Sequence, residues 1–370
     1  MTIIGRRYDT ANCVAVEVAA GRVVSVTSIA DDPRLPWLAP GLIDLQVNGY
    51  GGIGFNDPQL TPEQVIEMSL AMDQFGLASY LPTCTTDSLE LLARSLATIA
   101  AAIEQSAAVR QRVPGIHLEG PFICPDDGPR GAHPRQHVRA PDWDTFARLQ
   151  DAARGAIKLL TLSPEYEGAP NFIERAVAAG VVIAIGHTNA NSDQIRAAVD
   201  AGARLSTHLG NGAHPQIRRH PNYIWDQLAE DRLMASLIVD GHHLPPAVVK
   251  CLVRAKSPQQ CILVSDKTNL AGMPAGRYST SLGEVELTAA GKLVAADRPD
   301  ILAGASLPIT VNVAKVMQFA GLTLREAIDM ASVNPARLMG WPLAFLEIGH
   351  EARLMLFRCG AEAIEIEQLV

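Results

Sequence analysis

Gly115-Ile116-His117-Leu118-Glu119-Gly120-Pro121 reads as a short strand that delivers a carboxylate at its C-terminal end and breaks at once into Gly-Pro. Two more apolar runs end in histidine, Val181-Val182-Ile183-Ala184-Ile185-Gly186-His187 and Arg204-Leu205-Ser206-Thr207-His208. A third, Cys261-Ile262-Leu263-Val264-Ser265-Asp266, ends in aspartate. Four strands therefore present Glu, His, His and Asp at their C-terminal ends. Where such ends converge, they compose a metal site with a catalytic carboxylate.

Working outward, apolar strand-like runs alternate with helical segments, the pattern of a parallel sheet. The expected strands cover residues 42–48, 78–83, 115–119, 158–163, 181–187, 204–209, 235–240 and 261–266. Thr61-Pro62-Glu63-Gln64 has Pro at the first helical position and the spacing of a capping box. Ser192-Asp193 is expected to cap a helix over 194–201 that stops at Gly202, and Thr323 with Glu326 opens a helix running toward Asn334-Pro335. Eight β/α units make a (β/α)8 TIM barrel the economical α/β solution, and in such a barrel all strand C-termini open onto one face. That face would gather Glu119, His187, His208 and Asp266. Residues 13–19, a turn at Gly21, residues 22–29 and residues 351–357 have β character. The expected division is a small β-sandwich-like domain from both chain ends, 1–38 and 345–370, around a barrel at 39–344.

The chain of 370 residues is 48% hydrophobic and 19% charged, a composition that supports a large packed core. Its net charge of -8 supplies no global basic field, so neither nucleic acid nor an anionic membrane is an expected partner. Six cysteines are scattered without a CxxC, which points to reduced thiols and a cytoplasmic setting. No signal-peptide pattern and no uncharged run long enough for a membrane span is expected.

A hydrolytic zinc centre takes about three protein ligands and keeps a position for water. Glu119, His187 and His208 satisfy that count. Such a metal lowers the pKa of water toward ~7, and Asp266 can accept the water proton and pass it to a leaving nitrogen. Singly, each histidine has a plainer reading as a hydrogen-bonding loop residue; the joint placement at four strand ends favours the site. The ligand set leaves Zn2+, Fe2+, Mn2+ and Co2+ open. Gly49-Tyr50-Gly51-Gly52-Ile53-Gly54 fits G-x-G-x-x-G after a strand, but no helix start abuts the glycines, so a loop at the barrel mouth is expected instead of a dinucleotide site. His117-Leu118-Glu119 has the H-x-E form of zinc deaminases, without the P-C-x-x-C that must follow. The loop from His208 to Pro221 is dense in polar groups: Asn211 and nearby amides can hold a sugar or phosphate, and Arg219 can clamp an anion or simply face solvent. His133 can reach a substrate carbonyl or be an idle loop histidine, and Asp240-Gly241-His242-His243 adds a donor to the same face.

Taken together, Pro40-Gly41-Leu42-Ile43-Asp44, His117-Leu118-Glu119-Gly120-Pro121, Gly186-His187-Thr188-Asn189-Ala190, Thr207-His208-Leu209 with Asn211, Asp240-Gly241-His242-His243 and Val264-Ser265-Asp266 make the chain resemble the N-acetylglucosamine-6-phosphate deacetylases of the amidohydrolase superfamily. The resemblance extends to Asn334-Pro335-Ala336. It implies that Glu119, His187 and His208 bind one divalent metal ion, Gln46-Val47-Asn48 standing where many amidohydrolases have H-x-H. It implies Asp266 as acid/base and His133 on the acetyl carbonyl. Asn211, Gly212, Arg219 and His243 would hold the phosphorylated amino sugar, and Arg219 would reach a neighbouring subunit's site in a homodimer. The chain departs from the family at Gly210, Gly212-Ala213 and Lys267, positions expected beside the sugar and phosphate, so it stands as a divergent branch. Deacetylation of N-acetylglucosamine 6-phosphate is the expected reaction. The alternatives are an amidohydrolase acting on another N-acetylated amino sugar or other amide, and a non-catalytic sugar-binding barrel.

Overall fold

All eight barrel strands form, and they pair in parallel in chain order: Leu42–Val47, Leu77–Thr85, Ile116–Glu119, Ile157–Leu162, Val182–Ile185, Leu205–Ser206, Met234–Leu237 and Cys261–Leu263. They are seen in a computed structural model that describes residues 1–280, 283–343 and 345–370. The last strand closes on the first beyond its regular part: Asp266 N donates to Gln46 O at 3.0 Å and Asn48 N to Lys267 O at 2.9 Å. Several strands are shorter than expected. His187, His208 and Asp266 lie just past their strands, on the turns that follow.

The pleat sorts the strand residues into two cores. Ile43, Leu45, Leu81, Leu159, Leu205 and Ile262 pack with one another inside the barrel, while Leu42, Leu118, Leu160 and Ile183 join helix residues such as Leu96 and Phe146 outside it. The helix Leu89–Gln105 shows how the outer layer is built. Leu92, Leu96, Ile99 and Ala100 recur on one face and are buried, and Ser88 caps the helix by accepting from Leu91 N at 3.2 Å.

Both the Thr61/Gln64 and Thr323/Glu326 capping boxes are present. The helix expected to be capped by Ser192-Asp193 instead has Asn191 at its N-cap, because the Asn191 side chain accepts from both Asp193 N and Gln194 N at 3.0 Å, and Ser192 is the first helical residue. The helix from Thr323 ends at Met330, and a separate helix, Val333–Met339, carries Asn334-Pro335. Gly49–Tyr50 and Ile53–Gly54 form a small hairpin, as expected of a loop without a helix start.

The two chain ends share one six-stranded sheet. Its order is Ile364–Leu369, Leu354–Cys359, Trp37–Pro40, Thr2–Arg7, Cys13–Ala19, Arg22–Ser28. The strand Trp37–Pro40 spans the expected boundary at 38/39, and Ala344 at the other boundary lies outside the described residues. A four-stranded antiparallel sheet from Gly276 to Leu302, not foreseen in the sequence, is inserted after the eighth barrel strand.

Leu96→Ala should lower stability by ~2–5 kcal/mol, because Leu96 is fully buried and its truncation leaves a cavity in the core. Thr61→Ala, which removes one exposed cap, should cost only ~1 kcal/mol. Urea unfolding followed by circular dichroism checks the order of the two midpoints; a larger shift for Thr61→Ala would contradict the packing described.

Candidate active site

The third strand ends in Glu119, whose side chain is 3% exposed. Its Oε1 receives Gln46 Nε2 at 3.0 Å and faces His187 Nε2 at 3.1 Å and His208 Nε2 at 3.0 Å, while the two Nε2 atoms are themselves 3.1 Å apart. His187 Nδ1 is 2.8 Å from the Pro129 carbonyl, which can only accept, so the ring proton sits on Nδ1 and the Nε2 lone pair points into the cluster. Three electron-rich atoms thus meet with too few protons to satisfy them. Atoms about 2.1 Å from one shared cation sit ~3.0 Å apart at right angles and ~3.4 Å apart at the tetrahedral angle, so this donor set fits a metal ion. Burial pushes the Glu119 carboxyl up, but hydrogen bonds and charges from His187 and His208 outweigh it and hold the group well below its usual range. For His208, burial works downward and the Glu119 hydrogen bond and charge prevail, raising it.

The backbone at these positions is unusual. His187, His208 and Asp266 have φ of 51°, 29° and 50°, the left-handed region that costs a non-glycine residue ~1–3 kcal/mol and clusters at functional sites. Around them the loops come close. A Cβ at Gly212, where φ is +55°, would lie 2.7 Å from His187 Nδ1, so glycine is required there both for its conformation and for its size.

Asp266 Oδ1 accepts from Asn48 Nδ2 at 2.7 Å. Burial and then the Glu119 charge push its carboxyl up to about 7, against His208 and the Asn48 hydrogen bond. A cation beside Glu119 would oppose both causes of that rise. His133 is buried, with Nδ1 2.8 Å from Thr86 Oγ1 and its ring edge-on to His187 at 4.4 Å. Burial and the neighbouring His187 draw it down to about 3, so it is a neutral imidazole at physiological pH. Glu119, His133 and His187 can offer ligand atoms within 4.8 Å of one another, a looser set than Glu119, His187 and His208. His243 Nδ1–H donates to Asp240 Oδ2 at 2.8 Å, and Asp240 Oδ1 accepts the amides of His242 and His243 at 2.8 and 2.9 Å, leaving the other His243 ring nitrogen for a ligand.

The structure therefore gathers Glu119, His133, His187, His208 and Asp266, with Gly212 against His187. Asn211 is tied to His208 O through Nδ2 at 3.2 Å. Arg219 is exposed and makes no hydrogen bond or ion pair with the cluster. Lys267, expected beside the sugar, is buried against Met72 and Phe75 instead. His117 of the H-x-E motif has ring contacts to Thr161 Oγ1 at 2.8 Å and Thr83 Oγ1 at 3.4 Å, not to the cluster. Thr86 and Pro129, which orient the two histidines, carried no signal in the sequence, since each acts only through a partner on a distant strand or loop.

The amidohydrolase family profile matches residues 37–363. The chain belongs to the amidohydrolase family. Amidohydrolases are metal-dependent, and the donor set at Glu119 fits a metal ion. Among amidohydrolases of assigned activity, this chain is 31% identical to the N-acetylgalactosamine-6-phosphate deacetylase of Escherichia coli O157:H7, over 94% of this chain and 90% of that protein. It is 33% identical to the human N-acetylglucosamine-6-phosphate deacetylase, over 82% and 74%. A Mycobacterium smegmatis N-acetyl-D-glucosamine-6-phosphate deacetylase variant, solved in complex with N-acetyl-D-glucosamine-6-phosphate, superposes with a TM-score of 0.86 at 29% identity, covering 99% of this chain and 98% of that one. No helix among the described residues is long and apolar enough to cross a membrane.

Gly212→Ala should lower stability by ~1–3 kcal/mol, since it combines a strained φ with a clash on the His187 ring. Thermal unfolding of the variant checks this; an unchanged midpoint would mean that the loop does not pack on His187 as described.

Proposed function

We propose that this amidohydrolase removes the acetyl group of N-acetylglucosamine 6-phosphate, giving glucosamine 6-phosphate and acetate. The observation that carries the reading is the meeting of Glu119 Oε1 with the Nε2 atoms of His187 and His208 at 3.1 and 3.0 Å beside the Asn48-bound carboxylate of Asp266, in a chain similar to deacetylases over most of its length. Glu119, His187 and His208 hold one divalent ion, zinc being our choice. Bound there, it supplies Lewis acidity that polarises an amide carbonyl and lowers the pKa of water. Asp266 takes the proton of the attacking water on its carboxylate and returns it to the departing nitrogen, so that the C–N bond breaks to an amine and acetate. His133, held through Nδ1 by Thr86, presents its second ring nitrogen to the carbonyl oxygen as charge develops.

Asn211, the Gly212 amide and His243 position the sugar phosphate. Exposed Arg219 extends to the site of a second copy in a homodimer. The chemistry belongs to the barrel of residues 39–344, and the chain-end unit, 1–38 with 345–370, is its structural base. We place the enzyme in the cytoplasm. A second reading, the 4-epimer N-acetylgalactosamine 6-phosphate as substrate, is favoured by the similarity to the Escherichia coli enzyme over 94% of this chain.

Acetate release from both phosphorylated sugars and from unphosphorylated N-acetylglucosamine, on zinc-loaded protein of known metal content, tests the reading. A preference for N-acetylglucosamine 6-phosphate supports it, a preference for the epimer moves the substrate, and no release from any of them sinks it. Asp266→Asn should cut kcat by roughly 10²–10⁴-fold while the metal stoichiometry is retained, because it removes the proton shuttle alone. As Asp266 acts first as carboxylate, wild-type kcat/KM should fall as pH drops through its pKa, at or below about 7, and this limb should be missing from residual Asp266→Asn activity. Arg219→Ala should raise KM for the phosphorylated sugar and leave KM for the unphosphorylated one unchanged; equal effects on both would remove Arg219 from the phosphate site.

A further inference from the structure

Lys267 follows Asp266 directly, yet its side chain turns away from the catalytic cluster. It is 1% exposed, with Nζ 3.1 Å from Met72 Sδ, 4.3 Å from the centre of the Phe75 ring and 5.5 Å from that of Tyr50. Among the described residues the thioether is its only hydrogen-bond partner, a weak acceptor for a group with three donors. Asp44 acts on it through space, but the Asp44 oxygens are taken by the amides of Ser265 and Gln46 and make no bond to Nζ. An ammonium this deeply buried is costly unless oxygen acceptors reach it.

Those acceptors have a place to come from. Lys267 lines a cavity of about 710 Å³ on the outer flank of the barrel, walled by Tyr50, Phe75, Leu287 of the inserted sheet, and Val311 and Phe319 of the helix Ile309–Ala320. That volume lies within the ~300–1,000 Å³ of small-molecule sites. Its walls are closely fitted: a Cβ at Gly272 would come 2.6 Å from the Tyr50 ring, and one at Gly291 2.3 Å from Leu307. The other charged side chains of the lining and its histidine are committed. Lys315 pairs with Glu362, His242 Nε2–H donates to Ala290 O at 3.0 Å, and the Asp240 oxygens are held by His243 and two amides.

We propose that this cavity is a second ligand site, distinct from the metal centre, which takes a small monocarboxylate with an apolar or aromatic body, its carboxylate on Lys267 Nζ. One free cation in an apolar wall matches one negative charge; a phosphate dianion would leave its second charge buried and uncompensated.

Isothermal titration calorimetry on the full-length, metal-loaded protein tests this with benzoate, hexanoate and the neutral benzamide as probes. The same titrations are run on Lys267→Met and on Ala275→Trp, which fills the cavity from its exposed rim. The expected result is carboxylate binding to the wild type that weakens about tenfold or more in either variant and for benzamide, the size of one lost charge-assisted hydrogen bond. A carboxylate seated on the metal would titrate alike in all three proteins, and that outcome overturns the proposal. So does the absence of binding to the wild type, or equal affinity for benzoate and benzamide. Acetate release from the sugar phosphate is measured alongside, so a failed deacetylase reading remains distinguishable from a failed cavity reading.

Discussion

The Glu119 carboxylate is withdrawn from water and held between two imidazole nitrogens, at 3.1 and 3.0 Å, and the Gln46 amide at 3.0 Å. An isolated carboxylate in such a place costs several kcal/mol, so its neighbours must offset that cost or the group must take a proton. The neighbours come from the first, fifth and sixth barrel strands, which only barrel closure brings around the third. Two of them are in turn held: the His187 ring by the Pro129 carbonyl at 2.8 Å, and the His208 backbone amide by Ser236 Oγ at 2.7 Å. The two Nε2 atoms and one carboxylate oxygen converge on the same point, a donor set that fits a cation.

Below that cluster the barrel interior is polar across four strands. Thr83, His117, Thr161 and Thr207 are linked side chain to side chain at 3.4, 2.8 and 2.7 Å. Burial draws His117 down to about 4, so it is a neutral member of this chain and adds no charge beneath the cluster. The arrangement separates the apolar lumen from the charged mouth, and the left-handed backbone at His187, His208 and Asp266 marks where the strands give way to it. Strain at three such positions persists only where surrounding structure over-determines it.

The appended sheets are joined to this scaffold by specific bonds. Tyr8 Oη bonds to Asp329 at 2.8 Å, tying the chain-end sheet to the helix Leu324–Met330, and Trp37–Pro40 pairs with Leu354–Cys359 so that both chain ends share one edge of the barrel. The inserted sheet is tied by His242 to Ala290 O at 3.0 Å and by Ser306 to Gly291 O at 2.6 Å. It therefore lies beside the Asp240 turn that orients His243, and it forms a wall of the Lys267 cavity.

Much of this was legible in the chain itself. Short apolar runs with polar ends, alternating with capped helices, are local patterns, so the eight strands and the positions of Glu119, His187, His208 and Asp266 followed from residues adjacent in sequence. Helix starts marked by capping boxes were legible at Thr61 and Thr323, whereas the helix from Thr323 stops at Met330, short of Asn334-Pro335, and Asn191 prevailed over Ser192 as a cap because its side-chain oxygen reaches two amides at once. The inserted sheet escaped notice because its strands are mostly exposed and carry weak alternation. Amino-acid sequence by itself determined the barrel and which four groups stand at its mouth, since side-chain period and strand termini are set by neighbouring residues. Only the tertiary structure decided that Pro129 orients His187, that Thr86 holds His133, and that Lys267 turns from the catalytic mouth into an apolar cavity, because each of these depends on where segments far apart in the chain come into contact.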